Sequence, residues 1–307
     1  PYNPYGRAVP IEYTFFDLGG TIKTNRSTAY RGVVGLRGST AAWDWEVAAF
    51  GARSSERETV SGGFANRWAL ADALASGSYN LLDPSATPQS VIDAINISTL
   101  RPAESVLQGV DAKISGTLGR TWAGDIGFAA GAEWRREKLD SNNPWQIDAG
   151  LQVRPAIAAV HGERKVSAAY AEVNVPLAST LELSAAARAD HYDDFGDAFS
   201  PKLGLRWQPL DFLLVRASAS KGFRAPSLSE NSNSTSIAYG SVVDPRDPDV
   251  AGSRQNPTVV TVGNSELKPE RTKSVNFGVV RAPWANTNLS VDYYRIQLDK
   301  LVGTNNT

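Results

Sequence analysis

His161 and His191 are the only imidazoles in a chain of 307 residues, and there is no cysteine. A thiolate metal site, a disulfide framework and a cysteine nucleophile are therefore excluded. A zinc centre or a Ser/His/Asp triad would have very little to be built from. Carboxylates are plentiful but badly spaced for acid–base work. Glu182 and Asp190 lie eight residues apart on one strand-like run, which is roughly 26 Å at strand rise. The densest acidic group is DHYDDFGDAF, with Asp190, Asp193, Asp194 and Asp197 around Gly196. Oxygen-rich loops bind calcium, but this spacing is not that of an EF-hand. Asp and Gly together are also ordinary turn chemistry, so a solvated turn is expected, with His191 an interfacial residue beside it. Basic and acidic residues number 31 and 32, which gives no pointer to nucleic acid or to an acidic substrate. The expectation is a protein that is not an enzyme and carries no cofactor and no metal.

The surrounding sequence repeatedly alternates apolar and polar residues with period two. In LELSAAARAD, Leu181, Leu183, Ala185, Ala187 and Ala189 share one face, and Glu182, Ser184, Arg188 and Asp190 the other. Ile126, Phe128, Ala130, Ala132 and Trp134 oppose Glu133 and Arg135 in the same way. The pattern predicts eleven strands: 10–18, 27–38, 43–56, 105–118, 124–138, 164–176, 180–192, 199–208, 211–223, 271–282 and 287–300. The last loses its phase at Tyr293-Tyr294, where a bulge or a misplaced boundary is expected. Several exceed the usual strand of about 5–6 residues and suit the ~9–11 residues of a tilted strand crossing a bilayer.

Short connections (Ser39–Ala42, Gly119–Ala123, Leu177–Ser179, Pro209–Leu210, Pro283–Asn286) alternate with longer ones (Gly19–Arg26, Arg57–Glu104, Leu139–Glu163, Asp193–Ala198, Arg224–Glu270). This is the layout of an outer-membrane barrel, with tight periplasmic turns and long extracellular loops. Trp43, Trp45, Trp122, Trp207 and Trp284 fall by the short turns, and Trp134, Tyr192, Phe199 and Phe223 toward the long loops. Two aromatic girdles are the natural reading, because amphipathic rings favour a membrane–water interface. No run approaches the ~18 apolar residues of a membrane helix. The ends, PYNPYG and LVGTNNT, read as cuts inside a longer protein.

KGFRAPSLSE (Lys221–Glu230), a long loop, and NSELKPERTKSVNFGV (Asn264–Val279) resemble the C-terminal barrel region of TonB-dependent outer-membrane receptors. GLRGSTAAWDWEVAAFGAR (Gly35–Arg53), GFAAGAEWRREKL (Gly127–Leu139), SAAYAEVNVPL (Ser167–Leu177), ARADHYDDFGDAFSPKLGLRW (Ala187–Trp207) and LSVDYYRIQLDKLVG (Leu289–Gly303) extend the likeness in order. The resemblance implies an all-β, antiparallel transmembrane barrel of 22 strands around a plug domain. Residues 1–307 would supply about eleven of those strands, without the plug or the terminal strands. It further implies a bacterial outer-membrane location and uptake of a scarce nutrient, such as a ferric siderophore, cobalamin or an oligosaccharide. The implied partners are that ligand, membrane lipid, the protein's own plug and the TonB complex. A plug-less passive pore is the alternative, and a soluble carbohydrate-binding β-protein a more distant one.

On this reading Asp44, Glu46, Glu133, Arg135, Glu172, Glu182, Arg188, Asp190, Lys202, Arg206 and Arg216 face a wet lumen, which mixed charges brace. Within Arg57–Glu104, ANRWALADALAS (Ala65–Ser76) and SVIDAIN (Ser90–Asn96) read as short helices. Arg57, Arg67, Trp68 and Tyr79 are the substrate candidates there. Tyr239, Arg246 and Arg254 are their counterparts in Arg224–Glu270, where DPRDPD predicts irregular backbone.

Overall fold

The protein was analysed as a computed structural model that describes residues 13–243 and 255–303. Ten strands form one antiparallel ladder: β1 (Ile22–Ser39), β2 (Trp43–Ser61), β3 (Thr99–Thr121), β4 (Gly124–Ser141), β5 (Ile157–Ala178), β6 (Leu181–Tyr192), β7 (Gly196–Leu210), β8 (Leu213–Arg224), and, after a hairpin, β11 (Glu270–Trp284) and β12 (Thr287–Asp299). The hairpin pairs β9 (Thr235–Tyr239) with β10 (Thr258–Val262), and β9 also pairs with the start of β5. No helix among the described residues is long and apolar enough to cross a membrane, which says nothing against crossing by strands.

Cross-strand partners share a face, so the register sorts every side chain. Glu133 faces Asp111 on β3 and Ala168 on β5, and Ala168 faces Asp190 on β6. The opposite face is apolar over windows of equal length. These run from Trp43 to Gly51, Ile126 to Trp134, Leu181 to Ala189 and Phe199 to Trp207, nine residues each. Every alternate residue in them is apolar, and the next outward residue is Arg53, Arg136, His191 or Asp197. Nine strand residues tilted by ~35–45° rise about 20–25 Å, close to the ~25 Å apolar band of an outer-membrane barrel. Within the bands large rings lie over glycines. A Cβ at Gly131 would lie 2.5 Å from the hydroxyl oxygen of Tyr170, its register partner.

Beyond the windows the strands continue, and β3 reaches 23 residues. These extensions lack a regular apolar–polar alternation, which hides them from an alternation test. That is why 57–61, 99–104, 139–141 and 157–163 read as loop in the sequence. Residues 10–18 are a correction of the opposite kind. Residues 10–12 lie outside the described part, and the rest ends in a 3₁₀ turn, Phe16–Leu18, with no strand. Its alternating Tyr13, Phe15 and Leu18 pack into a loop cluster instead of a sheet face. Among the described residues the main path of the wall thus has ten strands, with β9 and β10 joining the same sheet, and the stretch from Ile22 is strand, not connection. The bulge expected at Tyr293-Tyr294 is absent: pairing is continuous from Arg271↔Asp299 to Arg281↔Leu289, and the register shifts between Arg281 and Trp284.

With no native cysteine, single-cysteine spin labels can read the two faces directly. Labels at Leu183, Leu205 and Val215 should be accessible to oxygen dissolved in lipid, and labels at Ser184, Arg206 and Arg216 to a water-soluble relaxer. Equal accessibility at both sets would refute the two-faced wall. Leu205→Arg, within its band, should destabilise the inserted protein by roughly 2–4 kcal/mol, read from denaturant unfolding in lipid vesicles.

Candidate ligand-binding face and its loops

The polar face is held by a connected set of ion pairs. Arg135 is bound by Glu133 at 2.6 Å and by Glu137 at 2.7 Å, and also donates to the hydroxyl of Tyr192. Arg188 joins Glu133 at 3.3 Å and Asp190 at 2.9 Å. Arg164 joins Glu137 at 2.7 Å and, through its other nitrogen, donates to the carbonyl of Pro226 at 2.7 Å. Arg135 and Arg164 both approach the ring of Tyr192, which stacks on Phe195 at 4.4 Å, with Phe223 edge-on at 5.9 Å. Three arginines so close together are tolerable because each has a carboxylate within hydrogen-bond reach.

Two expected girdle residues are therefore reassigned. Tyr192 is only 6% exposed, and Phe223 packs on it and on Phe195, so neither ring faces lipid. Trp134 and Phe199 remain exposed on the apolar face. Glu137 and Arg164 were missed in the sequence. Glu137 continues the Glu133–Arg135 alternation by one step and was legible; Arg164 opens the expected strand 164–176, on the face of Ala168.

Nearer the short turns the same face carries Glu182, Lys202, Arg206, Arg216 and Asp292 around a concavity of about 450 Å³. Arg216 holds Asp292 through both Nη2 and Nε, and Arg206 donates to Gln208. Glu172 lies on this face by register, opposite Ala129 and Ala186, and Glu46 pairs with Lys113 at 3.3 Å. Asp44 follows from Glu46 by strand alternation.

At the long-loop end, residues 62–98 fold over their own small core of Leu18, Ala65, Leu70, Ala73, Tyr79, Ile92 and Ile95. Both expected helices form: α1 (Arg67–Ser76), capped by the Asn66 side chain, and α2 (Gln89–Ile95). Tyr79 is 3% exposed and its hydroxyl is bound to Asp17, as is that of Tyr13. Burial, followed by the hydrogen bond to Asp17, raises the Tyr79 hydroxyl far above the ordinary tyrosine range. Tyr79 is thus structural and is withdrawn as a substrate contact. Arg57 is also withdrawn. It shares the face of Arg53 and Trp45, turned away from the polar side, and lines an outer groove with Arg26, Glu56 and Asp140. Arg67 and Trp68 remain exposed at the start of α1. Tyr239 is engaged by Arg154, whose guanidinium lies 4.4 Å from the ring centroid, and tethers the β9–β10 hairpin. Arg246 and Arg254 lie outside the described residues.

The aspartate tip is a turn held by its own hydrogen bonds. Asp193 accepts from the Lys165 backbone, Asp194 from the Asn231 amide, and Asp197 pairs with His191 at 2.7 Å. No group of three or more metal-ligating side chains converges among the described residues.

The start of loop 225–269 is pinned at one arginine. Arg224 binds Glu270 at 2.8 Å and Glu230 at 3.0 Å, and Glu230 closes a capping box with Ser227 at the first turn of α4 (Leu228–Asn231). Glu270 also accepts from the backbone N–H of Val302. The Arg224 bonds, then that of Val302, hold the Glu270 carboxyl down at about 2. Arg224 lowers Glu230 as well.

An open-ended ladder with an apolar band on one face, an ion-paired opposite face, tight turns at one end and built loops at the other is the wall of a membrane β-barrel. The chain belongs to the family described as TonB dependent receptor-like, beta-barrel, whose model matches residues 2–307. Among curated proteins it is similar to the ferric enterobactin receptor of Pseudomonas aeruginosa, 31% identical over 104 residues, which is 32% of this chain and 14% of that protein. It is also 31% identical over 120 residues to the ferric enterobactin receptor PirA of the same organism, covering 36% of this chain and 16% of that one. The matched parts are a small share of both relatives. Among solved structures it resembles the siderophore receptor PirA from Acinetobacter baumannii, with a TM-score of 0.57 and 16% identity, covering 89% of this chain and 35% of that one. The RagAB peptide transporter gives 0.59 and 12%, covering 93% and 31%. At such identities the likeness is one of fold.

Two outcomes follow from these contacts. Arg164→Ala leaves Glu137 and the Pro226 carbonyl short of a charged donor, at roughly 1–3 kcal/mol. Amide exchange over residues 225–232 should rise ~10-fold or more, with the barrel core unchanged. The Arg224 clasp depends on ionised carboxylates. Their folded pKa values are depressed, so its contribution is complete above the usual carboxylate range and is lost as pH falls through about 2. Proteolysis of the loop should quicken on that descent, and Glu270→Gln should flatten the dependence.

Proposed function

We propose that residues 1–307 are part of the barrel of a bacterial outer-membrane receptor that imports a scarce nutrient, with energy delivered through TonB. In the complete protein a plug domain would fill the space enclosed by the polar face, and further strands would close the wall. The observation that carries this reading is the charged face itself. Glu133, Arg135 and Arg188 are paired there, whereas Lys202 and Glu172 make no ion pair among the described residues. A wide lumen braced in this way can hold a polar occupant.

Among nutrient classes we favour a ferric siderophore. The support is the pair of curated relatives named as ferric enterobactin receptors. Arg67 and Trp68 on the loop fold offer a cation and an aromatic surface to an anionic, ring-bearing chelate. The fold alone does not choose, since a peptide transporter resembles the chain equally well.

Deleting the full-length gene should abolish growth on one or more ferric siderophores as sole iron source, and loss of TonB should do the same. Growth unaffected on every iron, cobalamin and glycan source would overturn the proposal. Arg67→Ala with Trp68→Ala should weaken binding of that siderophore by about 10-fold, read by intrinsic fluorescence titration, with membrane insertion unchanged.

A further inference from the structure

Outward charges are not distributed at random along the upper edge of the apolar band. Following each strand outward toward the long-loop end, the first ionisable side chains include Arg26, Arg53, Arg136, Lys165, Lys221, Lys273 and Arg295, against Glu104 and Asp197. The chain as a whole has a formal charge of −1, so this cationic edge is a local sorting. Part of it is self-compensated, whereas Arg26, Lys165 and Arg295 make no ion pair among the described residues. Arg53 pairs with Glu104 at 2.5 Å and Arg136 with Glu163 at 2.7 Å.

One uncompensated sector brings cations together. Lys221 and Lys273 are direct register partners on the outward face of β8 and β11, and Arg271 follows two residues on. Like charges placed directly opposite on a sheet repel. Asp299 lies 3.6 Å from Lys273 and is the register partner of Arg271 on β12, but Lys221 and Arg271 make no ion pair among the described residues. Below them the face is apolar, with Val275 and Phe277 both about half exposed. Arg271 also stands at the rim of a groove of about 540 Å³ lined by Ala169, Ala189 and Phe199 and also by Asp190, His191 and Asp197. Its own register partner, Phe223, packs its ring on Tyr192 and Phe195.

We propose that Lys221, Lys273 and Arg271 form a binding site for the phosphate head of a membrane lipid, whose acyl chain lies in the Ala189–Phe199 groove. The anion would relieve the opposed lysines, and a phosphomonoester offers the oxygens that guanidinium and ammonium groups bind best. The proposal rests on the reading of the chain as an inserted barrel wall.

The test uses the full-length protein in neutral detergent, titrated with dioleoyl phosphatidic acid or with dioleoylglycerol of the same chains, with bound lipid counted by native mass spectrometry. The wild type should prefer the phosphorylated lipid at least 10-fold. Lys221→Gln with Lys273→Gln and Arg271→Gln should erase that preference. Arg136→Gln, at a cation already paired, should keep it. Ala189→Trp, which fills the groove and leaves the cations in place, should also weaken binding. Equal binding of both lipids by the wild type, or an unaltered preference in the triple variant, would overturn the site. So would full competition by millimolar inorganic phosphate, which would mark a site for free anion. Heat-resistant mobility after insertion into neutral phosphatidylcholine vesicles checks each variant's folding. A wild type that fails to insert there would overturn the membrane reading and this site with it.

Discussion

Backbone amides in hydrocarbon have no water to bond, so every strand in the band must find its partners in a neighbouring strand. That requirement accounts for the uninterrupted ladder from β1 to β12 and for the tight turns that join strands at one end. It also governs where proline is allowed. Pro201 and Pro176 lie on strands whose pairing runs on past them, and Pro176 falls beside a register shift. Once the backbone is satisfied, the side chains are free to differ between faces, and they do.

The polar face then has a problem of its own, since charges on a half-buried wall need counter-charges. Arg135 and Arg164 meet it jointly through Glu137 and share the ring of Tyr192. The arrangement does more than neutralise. Arg164 reaches Pro226, so the same network that stiffens β4, β5 and β6 fixes where loop 225–269 leaves the wall. Arg224 secures the second side of that exit through Glu230 and Glu270.

Much of this was legible in the sequence, for a physical reason. A membrane band enforces strict alternation, so windows such as Ile126–Trp134 announce themselves, and Glu133 and Arg135 take the opposite face automatically. Legibility fails where that constraint ends. Above the band both faces are wet, alternation carries no information, and the strand extensions disappear into apparent loop. TVVTV at Thr258–Val262 had the β-branched composition of a strand, but it lay in a stretch that composition marked as irregular. Tyr79 shows the reverse failure. An aromatic in a loop looks available for a ligand, and only the fold shows that it closes a small core around Asp17. Tyr192 and Phe223 stood at the right height for an interface, yet a ring's height does not fix its direction.

The ladder between β7 and β8 has an upper limit with mechanical meaning. Their pairing begins at Lys202↔Ser220, although β7 continues to Gly196 on β6 and β8 to Arg224 on β11. The upper wall is thus slit lengthwise along this seam. What spans the slit is loop 225–269, which starts from β8 yet is stitched back to β5 through Ile157↔Ile237 and the Pro226 carbonyl. Cutting those stitches would let the two halves of the rim spread like an unbuttoned collar while the band below stayed zipped.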